Sequence, residues 1–235
     1  MTDRKALNSS GRQDVQAFLK DVRALARPKD NASSGRLVFA LDATASREAS
    51  WDKASALHAE MFQAASACGG LQVQLCYYRG FQEFRATKWF DSAHLLLGAM
   101  TSVRCAAGRT QIGRVLTHIE AEHKAQKVAA AVIISDAFEE SLDRAAHTAG
   151  NLGLRGCKLF LFQDGHDRAA SRAFAELARL SGGACCQFDE TSADELRELL
   201  RAVAAYAAGG HEAAREMLQN GRTQAARRLT QQLKP

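Results

Sequence analysis

Three short stretches carry oxygen donors at spacings that could hold a hard cation. Asp42, Thr44 and Ser46 alternate in Leu41-Asp42-Ala43-Thr44-Ala45-Ser46. Thr110 stands in Gly108-Arg109-Thr110, and Asp136 follows Ser135 at the end of an apolar run, with Glu139 and Glu140 just beyond. Hydroxyls and carboxylates without histidine or thiol form a set that suits Mg²⁺, Mn²⁺ or Ca²⁺ rather than zinc or copper. A plainer role is open for two of them, because Ser46 and Thr110 could cap the helices that follow. Glu139 and Glu140 either deepen the negative potential around an ion or begin a solvated helix. Asp164, His166 and Asp167 follow another apolar run and would line the same rim.

The same stretches speak against hydrolysis. A phosphatase of the haloacid-dehalogenase type, built on an aspartate at the end of a first strand, needs a second carboxylate two residues on as acid–base. Here that position is Thr44. Gly108-Arg109-Thr110-Gln111-Ile112-Gly113 lacks the lysine that a phosphate-binding loop uses to reach its ligand. The residues therefore point to binding rather than catalysis.

Something must position these donors, and the surrounding pattern says what. Short apolar runs occur at 36–41 (RLVFAL), 71–78 (LQVQLCYY), 128–135 (VAAAVIIS), 157–162 (CKLFLF) and 184–188 (ACCQF). Such runs suit strands buried on both faces of a parallel sheet. Glu83–Thr87 (EFRAT) alternates after Arg79-Gly80 and reads as the antiparallel hairpin partner of the second strand, at an edge. Helical spacing appears at 51–67, at 111–125, around Phe174–Leu180 and from Leu196 to Tyr206. Gly182-Gly183 and Gly209-Gly210 sit where a helix C-cap wants glycine. Alternating strands and helices predict an α/β, doubly wound, mostly parallel sheet with one antiparallel edge strand and helices on both faces. Ligands then bind beyond the carboxyl ends of the strands, where the donors lie.

Three parts follow: an N-terminal amphipathic helix and linker at 1–35, the α/β domain at 36–210, and a basic tail at 211–235. Val15, Phe18, Leu19, Val22 and Leu25 form one stripe of the first helix, and the tail is expected to be loosely attached. The net charge of +5 is uneven, with +3 in residues 1–35 and +3 in residues 211–235, which leaves −1 between them. That distribution differs from a nucleic-acid reader, whose basic patch lies on the folded face. The tail's Arg222, Arg227, Arg228 and Lys234 also lack an aromatic residue for stacking bases. No apolar run approaches the ~20 residues of a membrane helix. The start, Met1-Thr2-Asp3-Arg4-Lys5, leads to no apolar signal core. The 6 cysteines show no C-x-x-C pair and read as reduced structural thiols. A cytoplasmic location is expected.

With the donors and strand ends in place, the sequence resembles the von Willebrand factor A domain family over residues 36–208. Asp42-Ala43-Thr44-Ala45-Ser46 is similar to the family's D-x-S-x-S signature, with threonine for the first serine. Thr110 matches the second-loop threonine and Asp136 the third-loop aspartate. The resemblance implies a metal-ion-dependent adhesion site holding Mg²⁺ or Mn²⁺, ahead of Ca²⁺. Thr44, Ser46 and Thr110 would be direct ligands, while Asp42 and Asp136 orient waters. An open position on the ion would accept a Glu or Asp from a protein partner. By analogy with bacterial stand-alone intracellular domains, that partner could be an AAA-type ATPase or another chaperone-like machine.

Overall fold

In the computed structural model, residues 34–45, 70–188 and 193–219 are described. The expected N-terminal helix, the helix at 51–67, Ser46, Cys68 and the tail beyond 219 lie outside them. Six strands form one sheet: β1 (Gly35–Asp42), β2 (Leu71–Arg79), β3 (Glu83–Phe90), β4 (Ala130–Ser135), β5 (Lys158–Asp164) and β6 (Ala184–Phe188). Their spatial order is β3-β2-β1-β4-β5-β6. β3 runs antiparallel to β2, and every other neighbouring pair is parallel. The doubly wound sheet with one antiparallel edge is as the residue pattern predicts.

The described helices are α1 (Ala93–Thr101), α2 (Ile112–Ala125), α3 (Leu142–Leu154), α4 (Arg168–Ser181) and α5 (Ala193–Gln219). Strand alternation sorts the apolar side chains into two cores. Leu37, Phe39, Val132, Ile134, Phe160 and Phe162 face the side covered by Leu96 and Met100 of α1 and Leu199, Leu200 and Val203 of α5. Val38, Ala40, Ala131, Ile133, Leu159 and Leu161 face the other side, covered by α2, α3 and α4. Two-sided burial explains why these runs are continuously apolar. Each fully buried Leu, Ile or Phe contributes about 1.5–3 kcal/mol by leaving water.

Two helices, α1 and α3, are not among the sequence expectations. α1 and α3 carry no clear apolar stripe in sequence; α3 (LDRAAHTAGNLGL) buries only Ala145, Ala149 and Leu152, so its helical period is hard to see. Gly182 closes α4 in the left-handed region, φ 67°, as a C-cap glycine should. Gly210, φ 78°, likewise leaves the helical region and ends the first of two helices that run on across a kink within α5. The chain resumes helix to Gln219, and Ala214 is fully buried in the core, so residues 211–217 are docked rather than loose.

Candidate functional site

The chain goes outward from β1 to β2 and β3, then returns to β4 on the opposite side of β1. That reversal places a switch point between β1 and β4, and a crevice opens at the carboxyl ends of such strands. Asp42 ends β1 and Ser135 ends β4.

Asp42 is 3% exposed. Its Oδ1 accepts the Thr44 backbone N–H at 2.8 Å, the turn an aspartate makes with the residue two positions on. The Thr44 side chain also hydrogen-bonds the carboxyl. Oδ2 lies 3.1 Å from the Tyr78 hydroxyl and 2.9 Å from Ser135 Oγ, and those two hydroxyls are 3.0 Å apart. Register explains the meeting, because Tyr78 pairs with Asp42 across β1 and β2 while β4 flanks β1 on the other side. Burial holds the Asp42 carboxyl above its ordinary range; the Thr44 and Ser135 hydrogen bonds oppose this, and the charge of Asp136 adds to it. Burial likewise pushes the Tyr78 phenol far up, with Asp42's charge reinforcing it, so Tyr78 is a proton donor. Asp136 is half-buried just past β4.

Thr110 is 7% exposed and enters from the loop before α2. Its Oγ1 accepts the Glu139 N–H at 3.0 Å, and its own N–H is donated to Glu139 Oε2 at 3.1 Å. It does not cap α2: the N-cap is Gln111, whose side chain makes no capping bond. Glu140 takes that part, accepting the Ile112 N–H at Oε1 and the Gly113 N–H at Oε2, 2.9 Å away. Glu140 is therefore not a solvated helix start. It is a half-buried carboxylate anchored on the start of α2, where the helix dipole favours negative charge, and burial raises its pKa. Glu139 is exposed and clamps Thr110.

The other rim residues sit farther along the sheet. Asp164 is buried at the end of β5, one strand beyond β4, and His166 is exposed in the turn before α4. Asp167 caps α4 by accepting the Ala170 N–H at 2.6 Å. Burial raises Cys157 to about 12 and Cys185 to about 11, which suits inert packing.

The donor chemistry fits a hard cation. Thr44 and Thr110 bring buried hydroxyls, Asp42 has only neutral hydrogen-bond partners among the described residues, and the neighbouring charge of Asp136 has the same sign. Among those residues no group of three His, Cys, Asp or Glu could hold a metal, so hydroxyls would have to share the ligation. Sequence reasoning missed Tyr78 and Ser135 as site members. An aromatic near a strand end reads as core, and only the inter-strand register brings it to Asp42.

No helix among the described residues is long and apolar enough to cross a membrane. No protein-family model matches the sequence, and no curated protein does. Solved structures do match in fold. An aerotolerance-related membrane protein from Bacteroides fragilis aligns at TM-score 0.54 and 15% identity, over 71% of this chain and 98% of that one. The SpRpn10 VWA domain aligns at TM-score 0.56 and 9% identity, over 76% and 98%. Proximal thread matrix protein 1 from the mussel byssus, with a zinc-occupied MIDAS motif, aligns at 0.57 and 17%, over 74% of this chain and 46% of that one. With six strands in the order β3-β2-β1-β4-β5-β6 and helices on both faces, this chain has the von Willebrand factor A fold.

Proposed function

We propose that this chain is a metal-dependent protein-binding module rather than an enzyme, with its ion at the carboxyl ends of β1 and β4. The observation that carries this reading is Asp42, a buried carboxylate whose hydrogen-bond partners among the described residues are all neutral, set beside the buried hydroxyl of Thr44. Burying a carboxylate without a countercharge is unfavourable, and a cation supplies one. Thr44 and Thr110 would hold the ion, with Ser46 completing the set, while Asp42 and Asp136 act through water. Bound there, a divalent ion such as Mg²⁺ or Mn²⁺ would offer an open position to a partner's Glu or Asp. The zinc in the mussel protein's motif supports a divalent ion on this fold. This chain's own residues do the positioning: Tyr78 and Ser135 hold Asp42, Asp42 holds the Thr44 turn, and Glu139 holds Thr110. An AAA-type ATPase in the cytoplasm is the partner we favour by analogy.

Calorimetric titration of Mg²⁺ and Mn²⁺ into wild type, Thr44→Val and Thr110→Ala tests the reading. Binding in the wild type that both variants lose is expected. Equal affinity in all three would sink the ligand assignment. Thr44→Ser, which keeps the hydroxyl, should bind like wild type.

A further inference from the structure

A hollow of about 1030 Å³ opens beside Thr110, between the β2–β3 hairpin tip and the start of α2. Phe81, at the tip, is 93% exposed and forms one wall, with Arg109 and Arg114 on the others. A second hollow of about 450 Å³ shares Arg114 and Glu140 with the first and reaches Arg144 on α3. Together they form a groove that starts at a candidate metal ligand and passes three exposed arginines.

The balance of charge along this groove is asymmetric in depth. Glu140 is turned inward and already accepts two backbone N–H groups, and Glu139 accepts the Thr110 N–H. The arginines face solvent, and among the described residues none of Arg109, Arg114 and Arg144 is paired with a carboxylate. Arg114 donates only to neutral acceptors, the Gln82 carbonyl and Gln111 Oε1. An exposed guanidinium row with a free aromatic at its head suits an extended segment that offers carboxylates and one apolar side chain. The chain's own flanks do not fit, since residues 1–35 are net +3 and residues 220–235 carry Arg222, Arg227, Arg228 and Lys234 without any acid. Glu139 and Glu140 also line the hollow and oppose an anion of either kind, so the choice of a peptide over a nucleic-acid strand follows from the binding-module reading, and the competitor below tests it.

We propose that this arginine-lined groove receives an acidic segment of the partner protein, with an apolar side chain of that segment seated on Phe81. This rests on the binding-module reading and extends it: the metal takes one carboxylate, and the groove takes those that follow. Arg109 and Arg144 make no side-chain hydrogen bond or ion pair among the described residues, so they can be altered without loosening the fold.

The test is fluorescence anisotropy with a short fluorescein-labelled oligoglutamate carrying one phenylalanine. Wild type, Arg109→Glu with Arg144→Glu, and Thr110→Ala are compared with Mg²⁺ and with EDTA, using an oligothymidylate as competitor. The charge-reversed variant, with an unchanged thermal melt, should bind at least about tenfold more weakly, which is ~1.4 kcal/mol. Unchanged affinity in that variant would overturn the groove, as would failure of the wild type to bind the peptide. Tighter binding of the oligothymidylate than the peptide would also overturn it. Loss of binding on charge reversal, with no response to EDTA or Thr110→Ala, would keep the groove and remove the metal.

Discussion

The carboxylate of Glu140 sits on the first turn of α2, and removing it should loosen the loop that presents Thr110. Glu140→Ala strips the acceptor from the Ile112 and Gly113 N–H groups. Losing a helix cap costs about 0.5–2 kcal/mol, and losing a charge that complements the helix dipole adds about 0.3–1 kcal/mol. A loss of about 1–3 kcal/mol is expected, or roughly 2–4 °C in Tm for each kcal/mol in a domain of this size. Gly113 supplies the internal control. A Cβ there would lie 2.8 Å from Glu140 Oε2, so alanine forces the carboxylate away. In a helix, glycine to alanine otherwise gains about 1 kcal/mol. Gly113→Ala should thus be neutral or destabilising in the wild type and stabilising in Glu140→Ala, a coupling of about 1 kcal/mol or more by double-mutant cycle. Urea denaturation followed by far-ultraviolet circular dichroism reads it as a change of midpoint at constant slope. Additivity within about 0.5 kcal/mol would mean that the carboxylate does not rest on Gly113.

Two further outcomes follow from other polar groups. Tyr78→Phe removes one hydroxyl from Asp42 Oδ2 and should cost about 1–3 kcal/mol, since a buried acceptor loses a donor; it should also weaken Mg²⁺ binding in calorimetry, and wild-type affinity would show that Tyr78 does not position Asp42. Glu122 gives a pH signature: burial raises its carboxyl, but hydrogen bonds from Trp89 and Gln74 and the charges of His118 and Arg36 leave it below the ordinary range. A carboxyl lowered by folding stabilises above its unfolded pKa, and that contribution is lost as pH falls through the folded value, so wild type minus Glu122→Gln stability should shrink on acidification; a difference flat with pH would refute the pairing.

The fold was legible where burial writes a pattern. Val38, Ala40, Ile133 and Leu161 are apolar because helices cover that face, and Phe39, Val132 and Phe160 because α1 and α5 cover the other. It was illegible where small residues do the packing, as in α3, whose buried face is Ala145, Ala149 and Leu152. Asp42, Thr44, Thr110 and Asp136 stood out because polar residues next to buried strand ends are conspicuous. Tyr78 and Ser135 did not, because their role depends on the register Asp42–Tyr78 and on β4 returning beside β1. Glu140 was seen as part of a strand-end cluster, but its true partner is a helix start 27 residues earlier in the chain, a relation that no local spacing encodes.

The contrast between Asp42 and Glu122 gives the proposed cation a test of its own. Both are held by hydrogen bonds, yet Glu122 meets the Arg36 guanidinium at 3.1 Å, while Asp42 meets Thr44, Tyr78 and Ser135 and the like charge of Asp136. One carboxyl ends below its ordinary range and the other above it. A carboxyl raised by folding gives stability that is present below its unfolded pKa and lost as pH rises through the folded value. In EDTA, wild type should therefore lose stability relative to Asp42→Asn as pH rises from the acid range toward neutrality. If the proposed ion binds there, saturating Mg²⁺ should reverse the sign for the wild type alone, because a bound cation favours the ionised carboxylate and, binding only the folded state, adds stability by mass action. Urea midpoints across the pH range, with and without Mg²⁺, give both differences. If Mg²⁺ leaves the wild-type profile where EDTA put it, Asp42 is a buried acid that holds its proton, and the β1–β4 crevice is no metal site.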